Sequence, residues 1–279
     1  MIKQKGSILI LVLWVLIILS LLSIAISYRA SGDIKLAKYE SESIKASYLA
    51  KAGVAKMIAE LNRDNNNYNS LNEDWNKEKD FSFGGGRVTY KATDEEARFN
   101  LNSQNLSKEH LVRLGLDDDI SQRILDYKIK KGEKGFEFIE ELFLIDGMTR
   151  DVYSALEPYV AIYRGNGLQV NINTAGEKVL RALVDNEPVT NKIIEFRNGN
   201  DGRAGTEDDG IFTEANFSVV FGNFGITPED ILNYKSMFNV KSGFFRILVD
   251  VSFSEGERMI KHVISVTDRG GKIYYWKEE

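Results

Sequence analysis

Between Lys5 and Arg29 the chain reads GSILILVLWVLIILSLLSIAISY, without a charged residue. As a helix rising about 1.5 Å per residue, such a run is long enough to cross a hydrocarbon core of about 30 Å. It exceeds the apolar core of a cleaved secretory peptide and no small-x-small site follows, so it reads as a signal anchor. Lys3 and Lys5 precede it on a very short leader, which keeps that end on the cytoplasmic side. Past the apolar run, residues 31–62 hold no Pro and only Gly32 and Gly53. Here Ile34, Ala37, Ser41, Ile44, Tyr48, Ala52, Ala55 and Ile58 recur at steps of three or four, one stripe of an amphipathic helix. The pattern predicts that the membrane helix continues outward as a stalk whose stripe packs on the domain that follows.

Residues 62–80, NRDNNNYNSLNEDWNKEKD, are polar and Asn-rich and predict a loop. Alternation at Val88, Tyr90 and Ala92, and again at Phe99 and Leu101, predicts a hairpin or pair of strands over 87–102. Helices are expected at 107–114, with Ser107 as a cap, at 119–131, with Asp117 to Asp119 as caps, at 139–144, and at 149–156, opened by Thr149. A second cycle follows. LQVNIN at 168–173 looks strand-like, Thr174 with Glu177 matches a capping box for a helix to about 184, and helices are expected at 190–197 and 227–237. Finally GFFRILVDVSFS, RMIKHVISVTD and KIYYWKE alternate with period two across turn-like SEGE and RGGK, predicting three antiparallel strands. The fold class is α+β: a long helix on an antiparallel sheet, interrupted by an all-helical insertion of roughly 140 residues, a size typical of an independent domain.

Composition narrows the chemistry. Of 279 residues, 36 are Lys or Arg and 41 Asp or Glu, a net charge of 36 − 41 = −5, which disfavours attraction to polyphosphate. There is no cysteine, which removes disulfides, thiol nucleophiles and thiolate metal sites. The two histidines, His110 and His262, are far apart in sequence, so a multi-histidine metal centre is not expected. Asp94, Glu95 and Glu96, and likewise Glu140 and Glu141, are adjacent acids that point apart and lack a nucleophile; they are assigned to surface charge and no enzyme activity is expected. The helical blocks around 120–148 and 170–199 look like helix-hairpin-helix modules, with Lys128, Lys130, Lys131 and Lys134 as available charge. Asp185 and Glu187 stand where an amide-exposing turn would hold phosphate, so the modules are read as helix packing and nucleic acid is not expected as a partner. The segment RNGNDGRAGTEDDGIF, 197–212, crowds Asn200, Asp201, Asp208 and Asp209 among glycines; such hard oxygens suit calcium, although the spacing is not that of an EF-hand.

A short basic leader ending in Gly6 and running straight into the apolar helix resembles a type IV prepilin leader. The resemblance implies cleavage after Gly6 by prepilin peptidase and N-methylation of Ser7 as the new first residue. Position five of the mature chain, usually Glu, is Leu11. That departure, together with SYLAKAGVAKMI at 47–58, DEEARFNLN at 94–102, VNINTAGEKVLRALV at 170–184 and the final strands, resembles the K-type minor pseudopilins of type II secretion. Members of that family have a pilin-like core with an inserted helical (SAM-like) domain and bind calcium. The implied organisation is a leader at 1–6, a membrane helix at 7–28, a stalk at 29–62, first core strands within 63–102, an insertion at 103–240 in two subdomains, 103–165 and 166–240, and final core strands at 241–279. The implied function is to start and cap a periplasmic pseudopilus tip from the inner membrane, with major and minor pseudopilins as partners through the N-terminal helix. A membrane-tethered DNA-binding protein of DNA uptake and a minor pilin of a type IV pilus are the alternatives.

Overall fold

A computed structural model describes residues 5–162, 167–253 and 258–279, with backbone alone for residues 5–7 and 258–260. Lys5–Arg63 forms one continuous helix, α1, about 90 Å long. Its most apolar 18-residue window has a mean hydropathy of 3.2 and lies wholly exposed, as a membrane span does outside its lipid.

The face that α1 buries is not the stripe expected from the sequence. Ala46, Leu49, Ala50, Val54, Met57 and Leu61 are buried, whereas Ile44 and Tyr48 are 61% and 70% exposed and Ala52 and Ala55 lie on the open side. The offset is two residues, about 200° of helical turn. Close approach to the sheet explains it: a Cβ on Gly53 would sit 2.8 Å from Val249 Cγ1 and 3.0 Å from Val88 Cγ1. Beside Leu49, Met57 and Leu61 this face carries Ala46, Ala50 and Gly53, small enough for the helix axis to lie against branched residues of the sheet.

That sheet is antiparallel in the order β1-β2-β7-β8-β9. Its strands are β1 (Lys79–Phe83), β2 (Gly86–Asp94), β7 (Phe244–Phe253), β8 (Arg258–Asp268) and β9 (Ile273–Glu278). Strand β1 begins inside the segment expected to be loop. It turns into β2 through Gly84 and Gly85, both at positive φ, with Phe83 opposite Gly86. A two-residue turn with both φ positive matches strand twist and is open to glycine. Val88, Tyr90, Ala92, Phe245, Ile247, Val249, Val251 and Val263 close on α1, and the Trp75 ring meets Phe245 edge-on at 5.2 Å.

The insertion occupies the gap between paired Asp94 and Phe245 at the ends of β2 and β7. Phe99–Asn100, expected within a hairpin, is instead a separate strand β3 that pairs in parallel with β4 (Val160–Ala161). Likewise β5 (Val170–Asn171) pairs in parallel with β6 (Phe238–Asn239). Each two-residue ladder ties the entry of a helical block to its exit. Between β3 and β4 lie α2 (Lys108–Arg113), α3 (Asp118–Lys131), a 3-10 segment at Ile139–Leu144 where an α-helix was expected, and α4 (Arg150–Leu156). Between β5 and β6 lie α5 (Glu177–Val184), α6 (Glu187–Arg197), α7 (Phe217–Asn223) and α8 (Pro228–Met237). One apolar core runs through both blocks, from Phe99 to Val240.

Local chemistry sets most of these boundaries. The side chains of Asp117, Thr149, Asn186 and Thr227 accept from backbone amides in the first turns of α3, α4, α6 and α8. The capping box expected at Thr174 does not form. Helix α5 starts later, after Gly176, and Thr174 Oγ1 donates to Asp94 Oδ2 at 2.5 Å. Helix α7 was not foreseen: FSVVFGN sits among Asn and Gly, and its buried face of Phe217, Val220 and Phe221, the two rings stacked with centroids 4.4 Å apart, forms only in the packed core.

Candidate functional site

Met1–Gln4 of the expected leader lie outside the described residues, and of Gly6 and Ser7 only the helical backbone is described. Leu11 projects from the bare part of α1, 64% exposed, near Trp14 at 62%. From Ile8 to Ser41 every residue is exposed to the surround, so α1 meets its own sheet only from its forties onward.

The densest polar site is the junction of stalk, sheet and insertion. Asp94, Glu95 and Glu96, assigned to surface charge from the sequence, are buried at 5%, 1% and 7% exposure. They sit in a 3-10 turn, and buried acids persist when donors from other segments converge on them. Asp94 accepts from Glu96 N, Asn171 Nδ2, Thr174 Oγ1 and Ser242 Oγ at 2.8, 3.0, 2.5 and 2.6 Å. Glu96 accepts from Gly243 N at 3.1 Å and from Asn239 Nδ2. Glu95 takes Arg246 Nε at 2.5 Å and stands 3.4 Å from Arg98, while the other arm of Arg246 reaches Glu157, next to α4, at 2.5 Å. These carboxylates hold the Arg246 guanidinium charged against the cost of burial and raise its pKa. Glu140 is likewise engaged, accepting the Tyr275 hydroxyl at 2.8 Å.

Arg269, in the turn between β8 and β9, closes the other side. It donates to Leu61 O at the end of α1 (2.8 Å), to Ser242 O (2.9 Å) and to Asn69 Oδ1 (2.7 Å), with its guanidinium 5.3 Å from the Phe245 ring centre. Asn69 N donates to Val240 O at 2.7 Å. The insertion therefore springs from the end of the head at which α1 finishes, opposite the apolar end.

Sequence reasoning missed a second device, although its signal was visible as FNLN at 99–102 and VNIN at 170–173. In each, the first Asn accepts from the backbone amide of the second, at 3.1 Å for Asn100 and 3.0 Å for Asn171. The second Asn then clamps a distant backbone with both ends of its amide. Asn102 receives Phe136 N at 2.7 Å and donates to Phe136 O at 2.9 Å; Asn173 receives Phe212 N at 2.8 Å and donates to Phe212 O at 2.9 Å. The two helical blocks thus repeat one architectural unit, closed by the same two asparagines and the same parallel ladder.

The residues expected to hold calcium come partly together. Asp208 Oδ2 accepts from Asn200 N at 2.6 Å and Asp201 N at 3.2 Å, and Thr206 Oγ1 bridges Asp208 Oδ1 (2.8 Å) and Asp209 Oδ1 (3.0 Å). Asp209 Oδ2 also accepts from Gly205 N, at 2.6 Å, while Asp201 turns to Arg203 N at 2.8 Å. The hydroxyl of Thr206 and then the amide of Asn200 hold the Asp208 carboxyl below its usual range. Among the described residues no three acids or histidines converge as a metal-binding group, so calcium here would need Asn and backbone oxygens as well. In the first helical block, Lys128 donates to Ser103 O at 2.7 Å and Lys131 pairs with Glu137 and Glu141. Asp185, at φ 49°, occupies the turn between α5 and α6 and is bound to Arg113 at 2.5 Å.

No family model matches the chain. This fold matches that of a chain in the crystal structure of the GspK-GspI-GspJ complex of the enterotoxigenic Escherichia coli type 2 secretion system. That match has a TM-score of 0.56 at 17% identity, over 90% of this chain and 99% of that one. In sequence the chain is 25% identical over 249 residues to the type II secretion system protein K of Klebsiella pneumoniae, covering 73% of this chain and 76% of that protein. Both likenesses are to one class, the minor pseudopilins of type II secretion. Within that class the likeness is to the K type.

Proposed function

We propose that the protein starts and caps the tip of the periplasmic pseudopilus, anchored in the inner membrane by the first part of α1 with its short N-terminus cytoplasmic and its head in the periplasm. The observation that carries this reading is the position of the insertion, which leaves the core beside the C-terminal end of α1, where a further subunit would have to stack. Leu11 supports it. Cleavage after Gly6 creates a positive amine at Ser7, and an unpaired charge among packed apolar helices is expensive. The Glu that resembles its usual counter-charge is absent, which disfavours an internal place in the shaft and suits an end position. Partners of the I and J kind, named in the complex of the structural neighbour, would pack along the exposed stripe from Ile34 to Tyr48, which the head leaves uncovered. Cross-links placed at Ile34 or Ile44 should trap other minor pseudopilins, and the protein should be scarce in sheared filaments. Recovery at regular intervals, in amounts comparable to the major subunit, would overturn the tip assignment.

Processing supplies a separate expectation. Prepilin peptidase should leave Ser7 at the mature N-terminus, and Gly6→Val should block cleavage by adding bulk at the peptidase site. Intact-mass spectrometry of the membrane protein distinguishes the two outcomes, and an intact Met1 where the peptidase is present would refute it.

The loop at 197–212 is proposed as a calcium site built on Asn200, Asp201, Asp208 and Asp209. Binding to the folded state alone raises stability by RT ln(1 + [L]/Kd), so chelation should lower the melting temperature, and Asp208→Ala should erase that difference. Identical melting curves with and without chelator would remove calcium from the account.

A further inference from the structure

Asp94 is a buried carboxylate held by hydrogen bonds alone. Its four donors come from its own turn (Glu96 N), from β5 (Asn171), from the approach to α5 (Thr174) and from the return of the insertion (Ser242). Two of these belong to the second helical block and one to its exit, whereas Asp94 itself ends β2 of the sheet. Insertion and sheet are joined covalently only by residues 95–98 and 240–243, so this hub lies across the pivot between them.

The charged groups on every surrounding element are engaged elsewhere. Arg98 and Arg246 face Glu95 and Glu157, Arg269 of the β8–β9 turn faces Leu61 O, Ser242 O and Asn69, and Arg197 of α6 donates to Ala175 O. On the 64–76 loop, Asp64 accepts from Asn69 and Arg269, and Glu73 from Ser70 N and Trp75 Nε1. Lys241 donates to Asn66 O. Among the described residues none forms an ion pair with Asp94, and Glu96 adds a like charge two residues on. Burial is the largest influence, opposed by Ser242 and Thr174, and it pushes the Asp94 carboxyl up from 3.8 to about 6.

We infer that Asp94 is a pH-responsive latch between the sheet and the helical insertion, closed more firmly when its carboxyl is protonated. On protonation its O–H can donate to Thr174 Oγ1 or Ser242 Oγ, hydroxyls that rotate to accept, while the Asn171 and Glu96 N–H groups keep their acceptors. Ionisation leaves a full charge out of water, with only the guanidinium of Arg98 in electrostatic reach and that group already facing Glu95 and Glu157. The sign follows from linkage. The closed state has the higher pKa and binds the proton more tightly than an open state in which the carboxyl meets water, so closure is favoured at low pH and the advantage is lost as pH rises through about 6. With 3.8 for the open state, closed over open rises about tenfold from pH 7 to pH 5.

The test is hydrogen exchange by mass spectrometry on the full chain in detergent micelles at pH 5 and pH 7, corrected for intrinsic exchange and read at segments 94–100, 169–175 and 239–243. Wild type should gain about tenfold protection at pH 5, and Asp94→Asn, which is neutral throughout, should show no change across this range. Thr174→Val, which removes a donor to the ionised form, should move the midpoint to higher pH, and it stands in if Asp94→Asn folds poorly. Equal corrected protection of wild type at both pH values, or the same gain in Asp94→Asn, overturns the latch.

Discussion

Arg246→Ala destabilises the head by about 3–5 kcal/mol, the range for removing one partner of a buried ion pair. The Arg246 side chain is 14% exposed and the Glu95 carboxylate 1%, and at 2.5 Å the guanidinium is that acid's nearest cation. Without it, Glu95 keeps only Arg98 at 3.4 Å, and Glu157 of the insertion keeps Arg98 at 3.9 Å. The loss therefore falls on both sides of the junction at once. Urea denaturation of the full chain in detergent, followed by tryptophan fluorescence, measures it. The double variant Arg246→Ala with Glu95→Gln should recover part of the loss, because the buried charge left behind is then gone. A loss below about 1 kcal/mol would mean that the pair is no more than a surface bridge.

Gly53→Leu has the second largest expected effect. Already the first side-chain carbon would lie 2.8 Å from Val249 and 3.0 Å from Val88, and branched valines on the adjacent inner strands β7 and β2 cannot swing aside as a flexible chain can. Overpacking of this kind costs about 1–3 kcal/mol, and relief would require α1 to lift from the sheet. Ala52→Leu, one residue earlier on the open face, should leave head stability within about 0.5 kcal/mol of wild type. Thermal denaturation of the two variants side by side decides which face of the stalk helix the head uses. If Ala52→Leu were the damaging change, the packing of α1 described above would be wrong.

These two positions mark where sequence and tertiary structure divide. The uncharged run between Lys5 and Arg29, the alternating strands from Phe244 onward and the caps at Ser107, Asp117 and Thr149 were legible because each depends on neighbours within about one helical turn or along one strand. The α+β class and the interruption of the sheet by a helical block follow from the same local signals. The stalk's buried face did not follow. Periodicity finds apolar stripes but cannot say which of two will lie against the sheet, and the buried one passes through Gly53, where Val88 and Val249 leave no room for a side chain.

The junction was equally out of reach. Adjacent acids in DEEARFNLN look solvated in one dimension, and they become buried only because Asn171, Thr174, Ser242 and Arg246 arrive from 70 or more residues away with donors to meet them. Thr174 illustrates the competition directly: its local capping box with Glu177 lost to a distant carboxylate, since a buried acid is costly to leave without donors and a helix start can be satisfied by water. The sequence by itself determined the long apolar helix, the C-terminal strands and the helical character of the insertion, through short-range patterns. Only the tertiary structure decided which face of α1 packs and which acids disappear from solvent, because close approach and buried polar satisfaction are properties of segments that meet in space.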